Sequence, residues 1–208
     1  MKTTNYKSLE LFIAFVLVPV SFALDYALIL KLIVGFVGFV YILFVLIRIE
    51  RIGLKISRQL NWKQFWRDTI IKLAIIAVLT HIYMWFYDST NLYVVVINKP
   101  LLWIAIVFVY SFFSVYPQEL IYRTFFFKRY DSLFQNKTLF LFINAALFSL
   151  GHIFFKNTMV MILTFIGGLL FALTFNKTKS TVLVSIEHAI YGCWLFTVGM
   201  GEMLGFPT

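Results

Sequence analysis

One cysteine, Cys193, stands in 208 residues. That excludes an internal disulfide and a metal site built on thiolates, and it leaves the redox compartment open. Charge is scarce too: 13% of the chain is charged, against about 25% in a soluble domain. No His-Glu-x-x-His is present, so the familiar zinc-peptidase helix is absent. No internal repeat or low-complexity tract stands out. Acidic residues number nine against eighteen basic ones, a net charge of +9. Such a balance can serve nucleic acid, but here the basic residues fall between apolar runs, where they orient a membrane protein. A nucleic-acid partner is not expected.

What the chain has in excess is apolar surface: 62% hydrophobic residues, 25 Phe and 11 Tyr, with a mean hydropathy of +0.90. These values describe a polytopic protein of the cell membrane with aromatic belts at its interfaces. Helix is the open-ended solution in lipid, because each backbone N–H and C=O must be satisfied within its own segment. Seven runs approach the roughly 20 residues that a crossing needs. They are residues 8–24, 26–47, 69–87, 101–127, 138–155, 158–175 and 181–198. The expected fold is therefore all-α, a bundle of about seven transmembrane helices. Asp25 marks a tight first turn, and Asn98-Lys99-Pro100 and Asn176-Lys177-Thr178-Lys179 punctuate later connections. No cleavable signal peptide is expected, since the first run lacks a small-residue cleavage site and another span follows at once.

Lys and Arg set the orientation. With the N-terminus cytoplasmic, Lys7, Arg48, Arg51, Lys63, Arg67, Lys128, Arg129, Lys137, Lys177 and Lys179 lie inside with Lys2, Lys55 and Arg58. Lys99 and Lys156 face outward, and Lys31, Lys72 and Arg123 fall within spans. The stretch 48–67 interleaves six basic residues with Ile, Leu, Trp and Phe, the pattern of an interfacial amphipathic helix. It reads as a linker on anionic headgroups or as a surface that guides substrate.

Within this apolar background four polar residues are costly: Glu119, Arg123, His152 and His188. An ionisable group at bilayer depth costs roughly 2.5–3.5 kcal/mol on insertion scales. Glu119 and Arg123 are four apart on one helix face and can pair. Pro117 removes a backbone donor just before them and is expected to kink the helix. By helical rise Glu119 and His152 sit at similar depths, roughly 22 and 21 Å above the cytoplasmic helix ends, and His188 at roughly 12 Å. Glu187 adjoins His188 in sequence but points about 100° away from it. His81 reads as a helix–helix hydrogen bond, Cys193 as a small buried residue, and Gly35-x-x-Gly38 and Gly167-Gly168 as sites of close helix packing.

In order, Gln118-Glu119-x-x-x-Arg123, Phe148-x-x-x-His152 and His188 form a pattern that resembles the CPBP family of intramembrane proteases. This family holds the type II CAAX prenyl endopeptidases and bacteriocin-processing relatives, also called the ABI family, and the resemblance is to a bacterial-type member. It covers about residues 101–198. It implies a catalytic core at 101–208 behind N-terminal helices at 1–100, with the basic loop at 48–68, all in one integrated membrane domain. It implies hydrolysis of a peptide bond in a membrane-embedded or lipid-anchored substrate. Glu119 and His152 would activate a water, His188 would bond the developing oxyanion, and Arg123 would keep Glu119 ionised. The chain departs from the family at two points. Gln118 stands where the first of two glutamates is usual, and an amide cannot accept a proton from water. Gly192 and Cys193 stand where a final Asn or Asp is usual. No cofactor is expected, although Glu119, His152 and His188 are a His₂Glu donor set of the kind that holds catalytic zinc. Two other readings stay open: a catalytically impaired member acting as an immunity or peptide-binding protein, and a small transporter in which the same groups titrate.

Overall fold

The computed structural model of the chain describes residues 3–51 and 61–206. Every regular element among them is helical. Seven helical runs are long and apolar enough to cross a membrane: α1 (Thr4–Phe22), α2 (Leu28–Ile49), α3 (Trp62–Tyr87), α4 (Pro100–Leu133), α5 (Lys137–Phe155), α6 (Thr158–Thr178) and α7 (Thr181–Val198). Phe36, Phe86 and Leu101 are each more than two-thirds exposed, a cost in water and none in hydrocarbon. The protein is a multi-pass membrane protein.

Helix boundaries follow local chemistry more than hydropathy. α3 begins at Trp62, seven residues before the apolar run at 69, because the Asn61 side chain accepts from the Gln64 backbone N–H at 3.0 Å and caps the helix. The last residues of the expected interfacial segment, Trp62 to Arg67, therefore form the first turns of a span. The middle of that segment, residues 52–60, lies outside the described residues. α4 runs on to Leu133, past Lys128 and Arg129, instead of stopping at 127. The reason is that Arg129 is fully buried and pairs with Glu10 at 2.7 Å and Glu50 at 3.0 Å. Arg129, counted among the cytoplasmic charges, is the centre of a buried ion network that the Tyr41 hydroxyl joins by donating to Glu10. α7 keeps its expected bounds: Ser180 caps its start and Gly199, with φ of 106°, ends it.

Contacts divide the chain into two compact units: Met1–Lys55 with Gln118–Lys179, and Ile56–Pro117 with Ser180–Thr208. The division falls inside α4, so one helix supplies side chains to both. In the first unit α5 and α6 pack along one another. A Cβ at Gly168 would lie 3.1 Å from the Ala145 backbone, so this glycine permits the close approach expected of the Gly167-Gly168 pair. Gly35 and Gly38 do not act in this way. A Cβ at Gly38 would meet nothing within 4 Å, and one at Gly35 only Phe22 at 3.9 Å. In the second unit α7 packs on α3 and on the first half of α4, around a core that includes Ile106, Tyr110, Val115 and Phe196.

Candidate active site

α4 is not a uniform helix. Residues Tyr110–Val115 and Leu120–Phe125 are wide π-type turns, separated by the single α-turn Tyr116–Glu119 that holds Pro117. Proline lacks the N–H that would continue the ladder, and wide turns are a usual way for a helix to absorb such a defect. The expected irregularity at Pro117 is thus spread over both flanking turns, where chemistry-bearing residues stand.

In the first unit, Glu119 and Arg123 are both completely buried, and Arg123 Nε lies 3.3 Å from Glu119 Oε2. The guanidinium is held on all sides. Nη1 donates to Asn144 Oδ1 at 2.7 Å and Nη2 to the Gly168 carbonyl at 3.3 Å. The plane lies over the Phe148 ring at 4.8 Å, a cation–π contact strengthened by desolvation. Asn144 completes the clamp by donating to the Tyr122 carbonyl at 2.7 Å. Asn144, Phe148 and His152 follow at four-residue intervals and line one stripe of α5.

His152 lies past the end of the regular helix, which stops at Leu150 with Gly151 as its cap. It lies within the expected span, in the irregular turn that ends it. Its ring packs 4.8 Å from Phe148, and Nδ1 is 2.8 Å from the Phe148 carbonyl. A carbonyl only accepts, so Nδ1 carries the proton and Nε2 the lone pair. Phe148 therefore explains the Phe-x-x-x-His spacing: its ring takes the Arg123 cation, and its carbonyl orients the imidazole.

In the second unit, His188 is buried with 6% exposure. Its ring meets Tyr110 edge-on at 5.9 Å. One turn on, a Cβ at Gly192 would lie 2.0 Å from the Tyr110 hydroxyl oxygen, so only glycine admits this phenol. Cys193 lies 3.7 Å from Ser111 Oγ. Glu187 turns away from His188, as expected, and is spent on structure: Lys72 pairs with it at 2.7 Å and Tyr191 donates to it at 2.8 Å. His81 bonds the Tyr93 hydroxyl at 2.9 Å, so its partner is a connecting residue and not a neighbouring span.

The six expected site residues thus divide by unit. Gln118, Glu119, Arg123 and His152 belong to the first, where a chain of contacts through Phe148 joins the last three. His188 and Cys193 belong to the second. Asn144 and Tyr122 were missed, and so was the Lys72–Glu187 pair. Asn144 had a signal, an amide one turn before Phe148 in an otherwise apolar run. Lys72 and Glu187, 115 residues apart, had none. Among the described residues no three His, Cys, Asp or Glu side chains are grouped to hold a metal ion, and Glu119 is engaged by Arg123.

Fold and site together define a polytopic helical membrane protein with buried acid, base and guanidinium groups inside its spans. The family model described as type II CAAX prenyl endopeptidase Rce1-like matches residues 100–194. That stretch holds all three motifs, so the chain is similar to this family over the part of its length that carries them. No curated protein and no solved structure matches the chain.

Proposed function

We propose that this chain is an intramembrane endopeptidase that hydrolyses a peptide bond in a membrane-embedded or lipid-anchored protein. The observation that carries the reading is the 2.8 Å bond from His152 Nδ1 to the Phe148 carbonyl. It leaves Nε2 as the nitrogen that accepts a proton, on a ring that is only half-buried. Water is activated by His152 with Glu119. Of the two, the imidazole takes the proton, because the carboxylate is already engaged by Arg123 at 3.3 Å. Glu119 contributes its fixed negative charge, and Arg123 holds it in position. His188 donates to the developing oxyanion, a role that rests on the family resemblance. A fixed donor is worth most where solvent screening is weak.

The test is cleavage of a quenched-fluorescent apolar peptide by the full chain reconstituted in phosphatidylcholine–phosphatidylglycerol vesicles. His152→Ala is expected to lower kcat/KM by about 100-fold or more, in the range of a lost general base, with its melting temperature unchanged. Glu119→Gln and His188→Ala are expected to lower it by at least tenfold. Parental cleavage by the His152→Ala variant would sink the mechanism.

A second reading has its own support. Gln118 cannot act as a base, and Glu119 is wholly enclosed, which favours a catalytically impaired member that binds a membrane peptide without cutting it. Gln118→Glu separates the two. If only that variant cleaves, the parent is a binding protein; if the parent cleaves and the variant merely changes the rate, it is a protease.

A further inference from the structure

In the first unit a cavity of about 650 Å³ runs along α1 and α2. Its polar residues, Glu10 and Tyr41 among them, gather toward one part of a wall that is otherwise almost wholly apolar. Tyr122 and Gly151 form another part of that wall, and Gly151 directly precedes His152. The Tyr122 ring is fixed from both sides, edge-on to Phe15 at 5.3 Å and to Phe148 at 5.2 Å. Its hydroxyl occupies a notch that only glycine provides: a Cβ at residue 151 would lie 2.2 Å from the phenol oxygen and 3.1 Å from Cζ. The Tyr122 carbonyl takes both Asn144 and Arg123 as donors, but among the described residues the hydroxyl has no hydrogen-bond partner. A phenol in an apolar setting ordinarily finds one.

We propose that Tyr122 is a further catalytic residue, whose hydroxyl donates a hydrogen bond to the carbonyl oxygen of a peptide bound beside His152. The proposal rests on the protease reading and adds a donor on the His152 side. When water oxygen bonds to the carbonyl carbon, its proton passes to His152 Nε2 and the carbonyl electron pair moves onto oxygen. Tyr122 donates to that oxyanion without giving up its proton. As the C–N bond breaks, the proton on His152 goes to the leaving nitrogen, which returns the imidazole to its starting form. The rigid ring and the glycine notch fix the hydroxyl in advance, so little ordering is needed at the moment of reaction.

The decisive variant is Tyr122→Phe, which deletes one oxygen and keeps both ring contacts. With the same peptide and vesicles, kcat/KM is expected to fall tenfold or more while the melting temperature stays within about a degree. Gly151→Ala, which must push the phenol aside, is expected to lower cleavage strongly in the parent and only weakly on top of Tyr122→Phe. A kcat/KM within threefold of the parent in Tyr122→Phe overturns the proposal and leaves the protease reading intact. If neither the parent nor Gln118→Glu cleaves, the protease reading has failed, and fluorescence anisotropy of the same peptide decides the matter. A dissociation constant raised threefold or more by Tyr122→Phe retains the donor role; an unchanged one overturns it.

Discussion

Arg123 is the residue on which the buried charge depends. Its guanidinium offers five N–H groups in a planar fork, and here they reach Glu119, Asn144 and Gly168 while the flat face covers Phe148. Lysine offers a single ammonium and no plane, so Arg123→Lys is not conservative at this site. Removing one partner of a buried pair typically costs about 3–5 kcal/mol, because the other charge is left uncompensated. Arg123→Ala is expected to lose that much in denaturant unfolding in micelles. The double variant Glu119→Gln with Arg123→Met should recover a large part of it. If the double variant is as unstable as the single one, the loss comes from packing and not from charge. At this scale the sequence was informative about type but not about use. The spacing of Glu119 and Arg123 announced a pair, whereas nothing local said that Glu187 serves Lys72 and Tyr191 or that Tyr122 needs Gly151.

At the scale of the element, hydropathy located all seven spans, and the errors fall where polar caps and buried charges act. α3 starts early because Asn61 caps it, and α4 ends late because Arg129 is buried with Glu10 and Glu50. Two glycine pairs of similar appearance behave differently, since whether a glycine is needed depends on what faces it. Gly168 faces the Ala145 backbone and Gly38 faces open space. Gly168→Ala is therefore expected to cost about 1–3 kcal/mol by forcing α5 and α6 apart, and to weaken the Gly168 carbonyl's bond to Arg123. Gly38→Ala should leave stability unchanged or slightly raised. Melting temperatures of the two variants in the same detergent check the contrast, and equal losses would contradict it.

For the whole molecule, the distribution of Lys and Arg argues for a cytoplasmic N-terminus and a C-terminus on the opposite side. An alkaline phosphatase fused after α7 is then expected to be active in a bacterial host, and one fused in the 134–136 connection inactive. The reverse pattern would invert the topology. The membrane class, the helical fold and the three motifs followed from the sequence alone. Each rests on composition or on spacing within one helix, and lipid leaves the backbone few other choices. Which polar groups meet was decided only by tertiary structure, because a buried charge takes whatever partner the packing brings, at any separation along the chain. Arg129 reaches back to Glu10 and Glu187 to Lys72. The end of α5 leaves His152 in a turn, where the bond from Nδ1 to the Phe148 carbonyl makes Nε2 its proton-accepting nitrogen.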